Sequence, residues 1–206
     1  MRQAVKLNKR FKTEFINLAR ILDESDLQII PWSHEELDLL SFHQTSKKSS
    51  GWINRIHTGL ITSIYQEHVA QYCFRSYFFS AVTNILYVRT SRHQFGYVFF
   101  KKHCELFVND QLVGTLNHRG ELAGPRKLRL ILDVDPNRDG SKIIKILDRE
   151  VALVNRLGET DLSFSRMLAW QDVKSTEEEI LVLAICVLLN IMKAIKNPVL
   201  QSYFRT

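Results

Sequence analysis

The longest apolar stretch of the chain lies near its C-terminus, where every residue in 180–189 is apolar. Helix-terminus signals bracket this stretch: Ser175 and Glu178 form an S-x-x-E capping box before it, and Pro198 stops the helix after it. A helix that is apolar on all sides must be buried on all sides. The pattern predicts a buried helix over 176–196. A membrane-spanning tail is the alternative, but the run is shorter than the roughly 20 residues that a span needs.

Upstream of this helix, short runs of β-branched and aromatic residues are separated by turn residues at regular spacing. The runs predicted as strands are 58–65, 69–77, 85–90, 95–101, the hairpin 105–116, 127–133, 143–147, 151–155 and 167–173. An extended segment at 36–42 and a polar loop at 43–52 precede them. About ten or eleven short strands without intervening helices predict an all-β sandwich or barrel and exclude a doubly wound α/β fold.

A barrel of this many strands has an interior that its own side chains do not readily fill, and an apolar helix would fill it. We therefore predict a mainly β, α+β fold: a closed antiparallel barrel of about ten to twelve strands around the buried C-terminal helix. The expected organisation is an N-terminal helical segment at 1–34, the barrel with its helix at 35–198, and a tail at 199–206. Within the hairpin, Gly114 indicates a bulge or a close backbone approach.

The N-terminal segment contains an amphipathic helix over 8–24. Its apolar stripe, at the spacing of one helix face, consists of Phe11, Phe15, Leu18 and Leu22. This helix is expected to pack across the barrel mouth or on a neighbouring subunit. A membrane-surface helix is the alternative, which nearby lysines favour but Glu14 and Asp23 disfavour.

The composition of the chain also indicates which class of partner it favours and in which cellular compartment it is expected. The formal net charge of the 206 residues is +6 and the pI is about 9.3, which favours anionic partners. The three cysteines are far apart and odd in number, which argues against a disulfide framework, and the N-terminus has no apolar segment of signal-peptide type. We therefore expect a cytoplasmic protein, either free or peripheral to a membrane.

Basic residues on or beside the predicted strands are the candidate ligand-binding residues. They are Arg89, Lys101, Lys102, Arg126, Lys127 and Arg129. If neighbouring strands bring them together, they form a patch suited to phosphate groups, whereas a solvated outer barrel face is the alternative. Nucleic acid is a poor candidate, because aromatic residues do not interleave with these charges in a stacking pattern.

Motifs for other chemistry are absent or incomplete. The segment 135–140, D-P-N-R-D-G, matches the start of an EF-hand loop, but its twelfth position is Ile146 instead of Glu, so a β-turn is expected. The seven histidines show no zinc spacing, and no P-loop, dinucleotide fingerprint or nucleophile elbow occurs. We therefore expect no metal, no cofactor and no catalytic residues.

The hairpin at 105–116, with its F-V-N-D-Q-L-V-G-T-L run, and the helix at 177–195 together resemble the tubby-like superfamily. That superfamily comprises the tubby C-terminal domain, the phospholipid scramblases, the plant proteins related to LURP-one, and bacterial relatives, among which this chain would belong. The resemblance covers roughly 36–196 and implies a closed barrel of about twelve strands around a C-terminal helix. A fluorescent-protein-like barrel is disfavoured because its helix lies mid-chain. No family binding motif matches residue by residue, so no family site is carried over.

Three functions remain open on these observations. The first is a non-enzymatic tubby-like barrel that binds an anionic ligand, such as phospholipid headgroups at a membrane surface, through the basic outer face. The second is a protein-interaction or structural module, in which the stripe of the N-terminal helix docks on a protein partner or second subunit. The third is a protein anchored in a membrane by its C-terminal helix.

Overall fold

The structure, a computed structural model, describes residues 2–24, 27–31, 34–50, 55–77, 81–125, 129–137, 140–155 and 165–195. The described helices are α1 (Arg2–Asp23) and α2 (Thr176–Ala194), with a short 3-10 helix at His34–Leu39. The described strands are β1 (Leu40–Ser50), β2 (Arg55–Ser63), β3 (His68–Ser76), β4 (Val82–Thr90), β5 (Gln94–Phe100), β6 (His103–Val108), β7 (Gln111–Asn117), β8 (Glu121–Ala123), β9 (Arg129–Val134), β10 (Lys142–Ile146), β11 (Arg149–Val154) and β12 (Leu168–Gln171).

The twelve strands form one antiparallel sheet in which every strand pairs with its neighbours in the sequence. The sheet curls until its two edges meet. Ser41 bridges Arg166 just before β12, and the backbone N–H of Met167 donates to the carbonyl of Leu40 at 2.7 Å. The predicted fold class is therefore confirmed as a mainly β antiparallel barrel with two helices.

Helix α2 fills the interior of this barrel. Every residue in 181–192 is buried, in one core with side chains from all twelve strands. Ser175 caps the helix by accepting a hydrogen bond from the backbone N–H of Glu178 at 3.2 Å, as the capping box predicts. Near the middle of the helix, the buried hydroxyl of Tyr97 on β5 donates to the carbonyl of Ala184 at 2.7 Å.

The connections between strands alternate between the two ends of the barrel, because successive strands run in opposite directions. We call the end at which β12 leads into α2 the entry end; it also carries the connections after β2, β4, β6, β8 and β10. The exit end carries the connections after the odd-numbered strands. Helix α2 begins at the entry end, and its 19 residues extend about 28 Å through the interior, so its C-terminal turn lies towards the exit end.

A chain of polar groups holds the C-terminal half of α2 against β1. The side-chain amide of Asn190 donates to the carbonyl of Ser41 at 2.8 Å, and the Gln44 amide donates to the carbonyl of Asn190 at 3.0 Å. Tyr72 on β3 completes the chain by donating to Oε1 of Gln44 at 3.3 Å. A buried polar group without a partner costs about 1–3 kcal/mol, so these bonds favour one axial position of the helix.

The polar loop expected at 43–52 is wrong over its described part. The extended segment expected at 36–42 is wrong over 36–39 and confirmed over 40–42, which begin β1. His34–Leu39 form the 3-10 helix, and β1 runs through Leu40–Ser50 as the partner of β2. Polar side chains are compatible with this strand because its pairing with β2 is made by backbone hydrogen bonds. The Gln44 side chain binds α2 inside the barrel, and residues 45–47 are exposed. Residues 51–54 lie outside the described residues.

The hairpin predicted at 105–116 is confirmed as β6 and β7. Asn109 and Asp110 form its turn with φ values of 48° and 66°, the left-handed conformation of two-residue type I′ turns. The strand register shifts next to Gly114, which pairs with Leu106, so a bulge lies there. A Cβ on Gly114 would lie 2.7 Å from a carbonyl oxygen of β8, which confirms the close backbone approach as well.

Helix α1 packs on the outer wall of the barrel, and its apolar stripe forms a second core with outward-facing side chains of β3–β6. This core contains Phe11, Phe15, Leu18, Leu22, Cys73, Val82, Ile85, Tyr87, Val98 and Phe107. Ion pairs hold the rim of the helix: Glu14 with Arg75 at 3.0 Å, and Asp23 with Arg89. The wall of the same chain, rather than the barrel mouth or another subunit, therefore covers the stripe.

Leu188→Ala tests the role of α2 as the filling of the barrel. Leu188 is fully buried, so we expect the cavity to lower the free energy of unfolding by about 2–5 kcal/mol. Ile16 on α1 is 60% exposed, so Ile16→Ala is a matched control that should change this energy by less than about 0.5 kcal/mol. Urea denaturation measures both variants, and equal effects would contradict the interior placement of α2.

Gly96→Ala tests the docking of α1. Gly96 on β5 lies beneath the ring of Phe15, and a Cβ there would be 2.3 Å from the nearest ring carbon. We expect Gly96→Ala to destabilise the protein by about 1–3 kcal/mol through overpacking. In a Phe15→Ala background the same change should cost much less. A double-mutant cycle of unfolding free energies measures this coupling, and strict additivity would argue against α1 lying on β5.

Candidate functional site

Arg89, one of the candidate ligand-binding residues, anchors α1 to the barrel. It lies near the end of β4, forms an ion pair with Asp23, and donates to the side chain of Gln71 at 2.9 Å. Asp23 is the last residue of α1. The guanidinium is therefore engaged within the chain, and its position is explained by helix docking.

The other described candidates lie at opposite ends of the barrel. Arg129 begins β9 at the entry end, and β9 lies five strands round the barrel from β4. Lys101 and Lys102 form the connection from β5 to β6 at the exit end, where both are exposed. The single patch envisaged from sequence is thus not formed by the described members. The remaining candidates lie outside the described residues: Arg126 and Lys127.

Lys101 and Lys102 have basic neighbours that the sequence pattern did not reveal. The connection from β7 to β8 lies at the same end, and there His118 Nε2–H donates to the carbonyl of Lys101 at 3.1 Å. Arg119 is exposed in the same connection. We call Lys101, Lys102, His118 and Arg119 the basic turn pair. The sequence does contain one signal for this proximity. One turn precedes the predicted hairpin and the other follows it, and the two strands of a hairpin return the chain to the end of the barrel at which the hairpin began.

Both turns of this pair are held by side chains close to them. Asn117 accepts hydrogen bonds from the backbone N–H groups of Arg119 at 2.8 Å and Glu121 at 3.1 Å, and its amide donates to the Glu121 carboxylate at 2.8 Å. In the other turn, the rings of Phe100 and His103 stack with centroids 4.5 Å apart. The cations are therefore presented from ordered backbone, which lowers the entropy lost when a ligand binds.

The lysines and the arginine of the basic turn pair differ from Arg149 at the entry end in their pairing. Among the described residues, Lys101, Lys102 and Arg119 form no ion pair. At the entry end, Arg149 is bound to Asp172 at 3.0 Å and to Glu178. The Arg149 guanidinium holds the pKa of the Glu178 carboxyl below its ordinary value. Unpaired positive charge is therefore clustered at the exit end, whereas at the entry end Arg149 is neutralised, and Arg92 and Arg129, beside β5 and on β9, lie four strands apart.

Charge is distributed unevenly along the barrel axis. The entry end is acidic, and its described carboxylates include those of Asp148, Asp172, Glu177, Glu178 and Glu179. At the exit end, the basic turn pair is joined by Arg166 before β12 and by Lys193 in the last turn of α2. Opposite charges at the two ends would orient the barrel relative to a charged surface.

The cysteine and tyrosine side chains inside the fold are buried and unreactive. Burial raises the pKa of the Cys73 thiol to about 12, and it raises the pKa values of Cys104 and Cys186 well above the ordinary range. Burial likewise raises the pKa of Tyr97. These groups stay protonated at neutral pH, and a protonated thiol is a poor nucleophile.

The EF-hand-like segment forms a turn in its described part. Oδ1 of Asp135 accepts a hydrogen bond from the backbone N–H of Asn137 at 2.9 Å, which is an Asx-turn. No group of three or more His, Cys, Asp or Glu side chains that could hold a metal ion occurs among the described residues. In the same part of the chain, no helix combines the length and apolarity needed to cross a membrane.

No protein-family model, no curated protein and no solved structure matches this chain. A barrel around a helix does not by itself identify a family, because unrelated activities recur on one architecture. The basis for a functional proposal is therefore the geometry and the charge of the chain's own residues, above all the basic turn pair.

Proposed function

We propose that this protein is a non-enzymatic binding module of the tubby-like type, and that it binds an anionic ligand through the basic turn pair. One observation carries the proposal: Lys101, Lys102 and Arg119 lie on two ordered, adjacent turns without an ion-pair partner among the described residues. The barrel around a C-terminal helix is consistent with the tubby-like type. The proposal thus keeps two of the sequence candidates and adds His118 and Arg119.

Phospholipid headgroups at a membrane surface are the ligand class that fits this arrangement best. The cations project from connections at one end of the barrel, so a surface that carries many phosphates can contact several of them at once. Each Lys or Arg near an anionic membrane contributes about 1 kcal/mol of binding energy. The acidic entry end would be repelled by the same surface, so the barrel would approach with its exit end first.

The two other functions left open by the sequence find less support. Docking of a protein partner on the α1 stripe would require that stripe to leave β3–β6, where it is buried. A C-terminal anchor would require α2 to leave the barrel interior, which would expose the interior and break the contacts of Tyr97 and Asn190. Surface binding through the basic turn pair needs neither rearrangement.

Lys101→Glu/Lys102→Glu tests this proposal directly. We expect wild-type protein to co-sediment with vesicles of phosphatidylcholine and phosphatidylserine at low salt, and not with pure phosphatidylcholine vesicles. The loss of two lysines should remove about 2 kcal/mol, or about thirtyfold in affinity, and the new carboxylates should weaken binding further. Binding should also fall at high salt, because the interaction is between exposed charges.

Arg92→Glu/Arg129→Glu is the matched control, because it makes the same charge change at the entry end, where both residues are exposed. This variant should retain most of the binding. Equal losses in the two double variants would show that net charge rather than the basic turn pair matters. Salt-resistant binding to neutral vesicles would instead point to apolar insertion. Thermal melts establish that each variant is folded.

A further inference from the structure

The barrel wall on β9–β12 carries a groove that the proposed function leaves unused. Its volume is about 460 Å³, within the range of small-molecule sites. Trp170 on β12 lines one side of the groove, and Pro136 and Asn137, which follow β9, line the other. This wall is separate from β3–β6, which α1 covers. The groove is therefore open on a face that no described helix occupies.

The floor of the groove is apolar. Ile143 on β10 and Leu153 on β11 are paired across the two strands and line the groove from the outer face of the barrel. Both are buried although they do not belong to the interior core. Trp170 pairs with Leu153 and is 37% exposed, so its ring stands beside this floor and is accessible to a ligand.

Charged groups line the rest of the groove: Asp133, Asp135, Lys145 and Glu150. Nζ of Lys145 lies 3.3 Å from Oδ2 of Asp133 and 3.9 Å from Oε1 of Glu150, so one ammonium positions two carboxylates. The side chains of both acids remain more than half exposed, at 56% and 52%. Each carboxylate has about four acceptor sites, so hydrogen-bonding capacity is left for a ligand.

From this geometry we infer that the groove binds a neutral carbohydrate, with one sugar ring against Trp170 and its hydroxyl groups on Asp133, Glu150 and Lys145. A pyranose ring has an apolar face of C–H groups, which an exposed indole ring and an apolar floor can cover. Its edge carries hydroxyls that both donate and accept. The two carboxylates accept from such hydroxyls and the ammonium donates to them, as charge-assisted hydrogen bonds.

Other ligand classes fit this groove less well. An anionic ligand would be repelled by the carboxylates of Asp133, Asp135 and Glu150. A cationic ligand would be repelled by the ammonium of Lys145 and could not accept its hydrogen bonds. A purely apolar ligand would desolvate the charged groups without giving them hydrogen bonds. A neutral polyhydroxy ligand satisfies both the apolar floor and the charged groups. Because it uses none of the basic turn pair, this site is independent of the proposed function.

Fluorine NMR of protein labelled with 5-fluorotryptophan tests the inference, since the Trp170→Phe spectrum identifies the resonance of Trp170. The probes are soluble oligosaccharides of glucose, galactose, mannose and N-acetylglucosamine, with tetramethylammonium and inorganic phosphate as charged comparisons. We expect at least one oligosaccharide to shift the Trp170 resonance saturably. Asp133→Asn and Glu150→Gln, which preserve side-chain shape, should each weaken this binding about tenfold.

Control variants separate the groove from the rest of the surface. Tyr65→Ala removes an aromatic ring that is 67% exposed on another connection and should leave oligosaccharide binding unchanged. Lys101→Glu/Lys102→Glu should also leave it unchanged, even if vesicle binding is lost. The inference is overturned if no oligosaccharide shifts the Trp170 resonance, if only a charged probe does, or if the two amide variants bind as wild type does.

Discussion

Helix α2 is apolar on every side, so it is stable in water only where every side is covered. A helix with its side chains is about 10–12 Å across, whereas a barrel of about eight strands has room only for its own side chains. Twelve strands provide the wider interior. Without α2 this barrel would enclose a large void, and without the barrel α2 would expose its apolar surface. Each element therefore stabilises the other, and neither is expected to persist alone.

An apolar helix in an apolar barrel would have several positions of similar energy, and a few polar contacts distinguish among them. Tyr97 reaches from the barrel wall to the backbone of α2, and Asn190 reaches from α2 to the backbone of β1. Oδ1 of Asn190 is buried and has no partner among the described residues, which costs free energy. We explain the presence of Asn190 in an otherwise apolar run by its hydrogen bond to Ser41, which favours one position of the helix along the barrel axis.

Much of this arrangement can be predicted from local pattern, and what cannot depends on contacts distant in sequence. The run at 180–189, the stripe of α1 and the hairpin turn at Asn109 are periodic or conformational signals that need no knowledge of the fold. Strand β1 could not be predicted from local pattern, because its residues are mostly polar. They form a strand because they pair with β2 and because Gln44 binds α2. From the sequence alone, Arg89 is a candidate ligand-binding residue. Only its ion pair with Asp23 shows that it anchors α1 to the barrel.

The basic turn pair could not be predicted for a related reason. Whether its four side chains lie close together depends on which end of the barrel each connection between strands occupies. That assignment follows from the alternation of antiparallel strands once their number and order are known. Three glutamates begin α2; Arg149 pairs with Glu178, and the charge of the other two exceeds the roughly half positive charge of the helix N-terminus, so the entry end stays acidic. Lys193 similarly outweighs the partial negative charge at the helix C-terminus. Capping charges that stabilise the central helix thus give the barrel an axial polarity, which the exit-end cations Lys101 and Lys102 reinforce.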